Sequence, residues 1–269
     1  MCRVSLGRNT DYPARYSPAL LCAVPRADNR RALGIEDKLP FEGEDVWTVY
    51  DLTWLGRGDK PAVATAMLRV PASSPNLIES KSLKLYLGSL SMSRYCDVGD
   101  VASVIARDLS AVAGTAVAAT LQPLPDTAGL IPVFPGTCID DIEVECRSWQ
   151  VDTSLLHCDE HDIAEEALHS HLLRTLCPVT GQPDIGSILI RYRGPRIDQA
   201  GLLRYLVSYR DHRDFHETCV ERIFVDLQRY CRPTALTVYA RYNRRGGLDI
   251  NPFRSNVTSS APNLRLWRQ

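Results

Sequence analysis

Two stretches of this chain repeat each other at an almost constant separation. Leu85-Tyr-Leu-Gly-Ser89 reads like Arg204-Tyr-Leu-Val-Ser208, an offset of 204 − 85 = 119 residues. Val101 to Leu109 reads like Cys219 to Leu227, with Ile, Asp and Leu in register, at an offset of 219 − 101 = 118. Thr115-Ala-Val matches Leu236-Thr-Val more loosely. Any two amphipathic helices share some pattern by chance, but a shared offset over separate segments points to an internal duplication. Each half must then bury its own apolar faces. The expectation is an α+β fold of two similar units, each an antiparallel sheet with helices on one face.

The length of 269 residues accommodates two modest units or one large domain. The formal net charge of −1 speaks against a nucleic-acid binder that relies on bulk electrostatics. No run of about 18 apolar residues is present, so no membrane span is expected. The polar start Met-Cys-Arg-Val-Ser-Leu-Gly-Arg-Asn lacks the apolar stretch of a secretory signal. The nine cysteines form no Cys-x-x-Cys pair and no regular framework, so free thiols in a cytoplasmic setting are expected. Apart from Cys177, they read as small buried apolar residues.

Along the chain, residues 1–45 read as an irregular arm rich in Pro, Arg and Asn. Val46–Leu55 and Pro61–Val70 read as strands around a Gly56–Asp59 turn. Val101, Val104, Ile105 and Leu109 mark one face of a helix over 97–113, and Thr115–Leu121 reads as a strand. Prolines 123, 125, 132 and 135 make Gln122–Gly136 a linker. The expected division is a first module over 1–125, a linker over 126–140 and a second module over 141–269. In the second, strands are expected at Ile142–Trp149, Ser187–Arg193 and Leu236–Tyr242. Gln199–Val207 reads as the opening of a helix or a ledge, and a helix is expected around Val220, Ile223, Phe224 and Leu227.

Four segments carry chemistry-bearing residues. Cys177 opens a loop bounded by Pro178, Gly181 and Pro183, with His169, His171 and Arg174 upstream as cations able to raise its thiolate fraction. Asp184 ends that loop, where a partly buried carboxyl would serve as a general acid. In Glu79-Ser-Lys-Ser-Leu-Lys-Leu-Tyr86, Glu79 offers two acceptor oxygens, and Lys81 and Lys84 offer charge to a phosphate. His216-Glu217 opens the second-half helix, a place where a carboxylate is often only a dipole partner. Arg244-Arg245-Gly246-Gly247 is either a basic turn or a phosphate contact. No metal is expected: His157, Cys158 and His161 form a corner without a second ligand pair. No Gly-x-Gly-x-x-Gly follows a strand, so a nicotinamide cofactor would need a site other than a Rossmann one.

Taken together, Glu79–Tyr86, Cys177–Asp184, Phe215-His-Glu217 and Tyr239-Ala-Arg-Tyr-Asn-Arg-Arg-Gly-Gly-Leu-Asp-Ile-Asn-Pro-Phe-Arg-Ser255 resemble the signature blocks of the NADPH-dependent 7-cyano-7-deazaguanine reductases. Leu-Leu-Cys-Ala-Val-Pro-Arg near the N-terminus and Leu-Pro-Phe-Glu-Gly-Glu-Asp-Val-Trp resemble the long, two-module form. The resemblance implies two tandem tunnelling-fold modules with the substrate where they meet, a homodimer, and no direct nucleic-acid partner. It implies four-electron reduction of the nitrile of 7-cyano-7-deazaguanine to the aminomethyl compound, a precursor of queuosine in tRNA, with two NADPH consumed per turnover. It assigns Cys177 to attack on the nitrile carbon as a thioimidate and Asp184 to proton delivery. It assigns Ile78, Glu79, Ser80, His216 and Glu217 to the substrate, and Ser80, Lys81, Arg245 and Gly246 to NADPH. Ile185 departs from the aromatic residue common after the loop Asp in long relatives, which bears on loop packing. The rival readings are a cyclohydrolase-like enzyme of the same fold, which would need a zinc set, and a non-catalytic purine- or tRNA-binding module.

Overall fold

The computed structural model describes residues 13–36, 38–122 and 131–269. Its elements are β1 (Ala23–Pro25), α1 (Ala27–Ala32), β2 (Glu42–Leu55), β3 (Pro61–Pro71), β4 (Asn76–Ile78), α2 (Ser80–Ser89), α3 (Val98–Ala113), β5 (Ala118–Gln122), β6 (Thr137–Cys138), β7 (Cys158–Leu176), β8 (Pro183–Ile197), α4 (Gln199–Val207), α5 (His216–Tyr230), β9 (Ala235–Tyr242) and β10 (Leu248–Ser255). They form two compact units. The first takes the described residues up to Arg31 with Val46–Leu130 and Arg244–Asp249; the second takes Ala32–Asp45, Ile131–Asn243 and Ile250–Gln269. Residues 123–130 of the expected linker lie outside the described residues.

Within the first unit the strand order is β5-β3-β2, and within the second β9-β8-β7, so the two orders match. In both, two long strands precede two helices and a return strand. Pairing is antiparallel from Thr65↔Gln122 to Arg69↔Ala118 in the first unit. In the second, β8 is antiparallel to both β7 and β9, and the two-residue β6 runs parallel to β7. The fold is mixed α+β with largely antiparallel sheet.

The repeat extends to individual hydrogen bonds. Tyr86 Oη donates to Asp108 Oδ2 at 2.8 Å, and Tyr205 Oη donates to Asp226 Oδ2 at 2.7 Å. These are the Tyr and Asp positions that the two sequence segments align. Ser89 and Ser208 each donate back to the carbonyl of that tyrosine at 2.6 Å. Glu79 caps α2, accepting from the amides two and three residues on, and Asp198, at 198 − 79 = 119, caps α4 in the same way. A buried tyrosine must place its hydroxyl on a partner, so each pair fixes one helix against the next. Tyr86→Phe and Tyr205→Phe should each destabilise the protein by about 1–3 kcal/mol, because the buried carboxylate loses a donor. Urea unfolding midpoints measure this; an unchanged midpoint in either variant would remove that pair from the account.

The helices form where their patterns predict. Asp97 caps α3 through the Asp100 amide, and Gly114, at φ 75°, ends it. Val101, Ile105 and Leu109 are fully buried, as are Val220, Ile223, Phe224 and Leu227 on α5. Arg254, with no exposed surface, donates through Nε and Nη2 to Glu221 at 3.1 and 2.8 Å, tying β10 to α5.

Three expectations fail. No strand forms over 142–149, although alternate side chains there are half-buried: alternation reports an extended segment with one covered face, not a ladder partner. Residues 158–176 form a strand that composition did not indicate, and the region before residue 46 holds β1, α1 and the start of β2 rather than an irregular arm alone. The cysteines are not uniformly buried either. Cys96 and Cys138 are exposed, Cys146 and Cys158 half-buried, and Cys22 is disulfide-bonded rather than free. No helix among the described residues is long and apolar enough to cross a membrane.

Candidate active site

The β7–β8 hairpin builds the Cys177 loop. Thr175 pairs with Asp184 and Leu176 with Pro183, so the turn is Cys177 to Gln182, and Asp184 returns beside the strand end that presents Cys177. The Cys177 amide donates to the Gln182 carbonyl, and the Gly181 amide donates to the Cys177 carbonyl, both at 2.9 Å. Closing so short a turn puts Gly181 at φ 69°, a conformation glycine adopts without steric cost. Cys177 is 7% exposed and Asp184 4%.

The expected cations do not serve this loop. His169 Nδ1 meets the Pro135 carbonyl and His171 Nδ1 meets Ser187 Oγ. Arg174 donates to the Arg210 carbonyl and faces Asp211. An irregular stretch of pairing between Ser170 and Leu173, which includes His171, separates His169 from the strand end. The cation at the turn is Arg213, whose guanidinium lies 3.6 Å from where a β-carbon at Gly181 would sit.

A second segment is fastened to the same strand end. The Leu176 amide donates to the His212 carbonyl at 2.8 Å, and the Asp214 amide donates to the Leu176 carbonyl at 3.2 Å. These bonds seat the start of α5 beside the loop. His216 Nε2 lies 3.0 Å from Asp184 Oδ2. The imidazole stacks flat on Tyr242, with centroids 3.8 Å apart and planes 9° from parallel. Both its ring nitrogens are buried, yet neither has a hydrogen bond of acceptable geometry among the described residues. Buried polar atoms are nearly always satisfied, so such a ring is poised for a ligand or a small shift onto Asp184. Burial, with further contributions from Cys219 and Asp184, pushes the Tyr242 phenol well above its ordinary pKa. Glu217 is 3% exposed in the first turn of α5, whose Phe215 provides no side-chain cap, so the carboxylate complements the helix dipole. Nearby Cys219 is fully buried, and burial above all keeps it a protonated thiol.

Ile185 is half-buried. Its amide donates to Asn243 Oδ1 at 2.9 Å, and its carbonyl accepts from the Asn243 amide at 2.8 Å. The loop exit is thus held through backbone, independently of the side chain at 185. Tyr242, Arg213 and Asn243 had no role in the sequence reading. Each matters only through tertiary adjacency, which local spacing does not encode.

The other candidate residues lie in the first unit. Ile78 ends β4, which pairs with β1, and is 4% exposed. Glu79 is also buried, and its carboxylate is not wholly free for a ligand: Oε1 accepts from the Lys81 amide at 3.0 Å and Oε2 from the Ser82 amide at 2.7 Å. Each oxygen keeps a second acceptor direction. Ser80 and Lys81 open α2 and are half-buried. Gly246 and Gly247, at φ 61° and 80°, turn the chain back so that the Arg245 amide donates to the Leu248 carbonyl. A β-carbon at Gly246 would stand 3.0 Å from Lys84 Cδ, so the bare glycine brings the turn against α2. Arg244 lies over the Tyr50 ring at 4.6 Å. Backbone amides with Lys84, Arg244 and Arg245 in one neighbourhood are a donor set suited to phosphate groups.

Two comparisons place the chain. Residues 12–121 match the family described as "Nitrile reductase, 7-cyano-7-deazaguanine-reductase N-term", and residues 183–261 match "QueF-like protein". The NADPH-dependent 7-cyano-7-deazaguanine reductase of Dechloromonas aromatica (strain RCB) is 50% identical over 267 residues, covering 98% of this chain and 94% of that protein. The protein of the same name from Chromohalobacter salexigens is 51% identical over 266 residues, covering 98% and 96%. With half its residues shared over nearly its whole length, the chain belongs to the NADPH-dependent 7-cyano-7-deazaguanine reductase family.

Proposed function

We propose that this chain reduces the nitrile of 7-cyano-7-deazaguanine to a primary amine at the expense of NADPH, in queuosine biosynthesis. The observation that carries this reading is the convergence of Cys177, Asp184 and the unbonded His216 ring at one end of the β7–β8 hairpin. A nitrile accepts hydride poorly. Addition of the Cys177 sulfur to its carbon breaks the S–H bond and moves a π pair onto nitrogen; the nitrogen takes a proton from Asp184, the thiol proton passes to the carboxylate left behind, and the product is a covalent thioimidate that accepts hydride readily. His216, with Nε2 3.0 Å from Asp184 Oδ2, is placed to return a proton to that carboxylate after a small shift of the ring. Glu217 and Glu79 accept from ring N–H groups of the substrate, and Ile78 and Ser80 line it. The closed loop keeps water from a thioester-like carbon that it would otherwise hydrolyse.

NADPH, when bound, supplies the hydrides, two cofactors per nitrile. Ser80, Lys81, Arg245 and Gly246 would hold its phosphates. Lys81→Ala and Arg245→Ala should each raise the Michaelis constant for NADPH severalfold and leave adduct formation on Cys177 unchanged, since that step needs no hydride. Steady-state kinetics and intact-mass spectrometry read the two separately; loss of the adduct with cofactor binding preserved would move these residues into the substrate pocket. Glu217→Leu should weaken nitrile binding by about 1–3 kcal/mol, the cost of facing a buried donor with no acceptor. Calorimetry on the Cys177→Ala background measures it, and an unchanged dissociation constant would exclude Glu217 as a ring anchor.

The wider reading is of two tandem tunnelling-fold modules, 1–125 and 141–269, joined by 126–140, in a cytoplasmic homodimer acting on a small molecule rather than on tRNA. The repeated Tyr–Asp bonds and helix caps support the tandem modules. Mixing the full-length protein with the nitrile and NADPH tests the activity. Two NADPH oxidised per amine formed is expected; no oxidation, or a hydrolysed product, overturns the proposal.

A further inference from the structure

The expected absence of a metal rested on the corner at His157, Cys158 and His161. Elsewhere the fold gathers ligands that are remote in sequence. β6 runs beside β7 with Cys138 opposite His169, and the Ile139 amide donates to the His169 carbonyl at 3.0 Å. His169 and His171 are two apart on β7, and their rings stand edge to face with centroids 5.4 Å apart. One donor atom from each of Cys138, His169 and His171 lies within 4.8 Å of the others.

The rings are oriented for coordination. His169 Nδ1 is 3.2 Å from the Pro135 carbonyl, which can only accept, so Nδ1 carries the proton and Nε2 keeps its lone pair. His171 Nδ1 is 2.8 Å from Ser187 Oγ; with the hydroxyl accepting from Nδ1, the lone pair is on Nε2. A carbonyl or hydroxyl on the far ring nitrogen is the usual outer partner of a metal-bound histidine. Asp140 then locks the turn after Cys138 onto β7, accepting from Ser170 Oγ at 2.6 Å and from the His171 amide at 2.9 Å. The set is built on strand and turn, with the histidine rings fixed before any ion arrives.

We propose that Cys138, His169 and His171 form a site for a zinc-type divalent cation, with water completing the coordination. One thiolate with two imidazoles is a borderline-soft set that suits zinc over magnesium or calcium. Binding breaks the Cys138 S–H bond, releases that proton to solvent and forms the metal–sulfur bond. The ion clips the short β6 to β7, covering one edge of the second unit's sheet where only two residues otherwise pair. Its role is to hold the segment from Ile131 to Asp141 in place, apart from the chemistry at Cys177.

Chelator-treated full-length protein is titrated with Zn²⁺ against a chromophoric chelator, and separately with Co²⁺. One ion per chain is expected, with a thiolate-to-cobalt charge-transfer band and d–d bands of tetrahedral intensity. Because Cys138 is exposed, Cys138→Ser should fold; it should lose the charge-transfer band and bind Zn²⁺ on the order of 10–100-fold more weakly, while still forming the nitrile adduct on Cys177. His171→Ala should weaken binding similarly, and Cys177→Ala should leave it unchanged. Zn²⁺ should slow amide hydrogen exchange at residues 137–139. A charge-transfer band that survives Cys138→Ser, or vanishes in Cys177→Ala, overturns the site, as does failure to bind Zn²⁺ at micromolar concentration.

Discussion

Cys177→Ala should abolish turnover, with a loss on the order of 10⁴-fold or more, as expected when a nucleophile is removed. The loop is shut by the Cys177 and Gly181 backbone amides, which alanine retains. Replacing a buried sulfur by hydrogen leaves a small cavity, costing about 1 kcal/mol or slightly more, so the variant should stay folded. Intact-mass measurement of the parent mixed with nitrile should show one adduct per chain, and the variant should show none. The test discriminates because a second buried thiol, Cys219, lies on the neighbouring helix. An adduct of equal yield in Cys177→Ala would mean that Cys219 or another thiol reacts, despite the burial that holds Cys219 protonated.

Asp184→Asn should slow adduct formation by about 10²–10⁴-fold, the usual range for removing a positioned acid. An amide cannot deliver the proton that the nitrile nitrogen requires. The exchange is nearly isosteric in a 4% exposed position, so the register of Thr175 with residue 184 should survive. His216, whose Nε2 stands 3.0 Å from Asp184 Oδ2, would then face a neutral group. The pH dependence of adduct formation should change with the rate, since the titrating partner is gone. Stopped-flow mass or absorbance measurements over a pH series decide it: a parent-like profile would show that another acid, with His216 the first to examine, serves the nitrogen.

The repeat was legible because its matched letters recur at a near-constant offset, although the units exchange Ala32–Asp45 and Arg244–Asp249 and so do not follow the expected division at 125 and 141. Tyr86 with Asp108 and Tyr205 with Asp226 were visible as aligned letters, and their hydrogen bonds explain why those letters recur. The helices were legible for a local reason. Val220, Ile223, Phe224 and Leu227 fall on one face at helical spacing, and a helix satisfies its backbone internally.

β7 was not legible, and the reason is physical. Cys158–Leu176 is rich in Asp, Glu, His and Ala, which carry no strand preference. It is a strand because β8 offers it a ladder from Cys158↔Ile197 to Leu176↔Pro183, a partner that local propensity cannot announce. The converse error was 142–149, where alternation was real but no partner exists among the described residues.

The site divides along the same line. By itself the sequence named the candidate residues and the loop that carries them: a cysteine in a Pro- and Gly-bounded turn, an aspartate at its exit, His-Glu at a helix start. Tertiary structure alone decided their surroundings. The hairpin register brings Asp184 back to the end of the strand that presents Cys177. The Leu176 backbone holds the start of α5 there, and Tyr242 lies flat beneath His216. It also gathered His169 and His171 beside Cys138: β6 pairs Cys138 with His169, and His171 follows in the irregular stretch after Ser170. Residue identity sets what a group can do. Pairing between distant segments sets which groups meet, since a strand acquires its neighbours only when its backbone donors and acceptors are satisfied by another part of the chain.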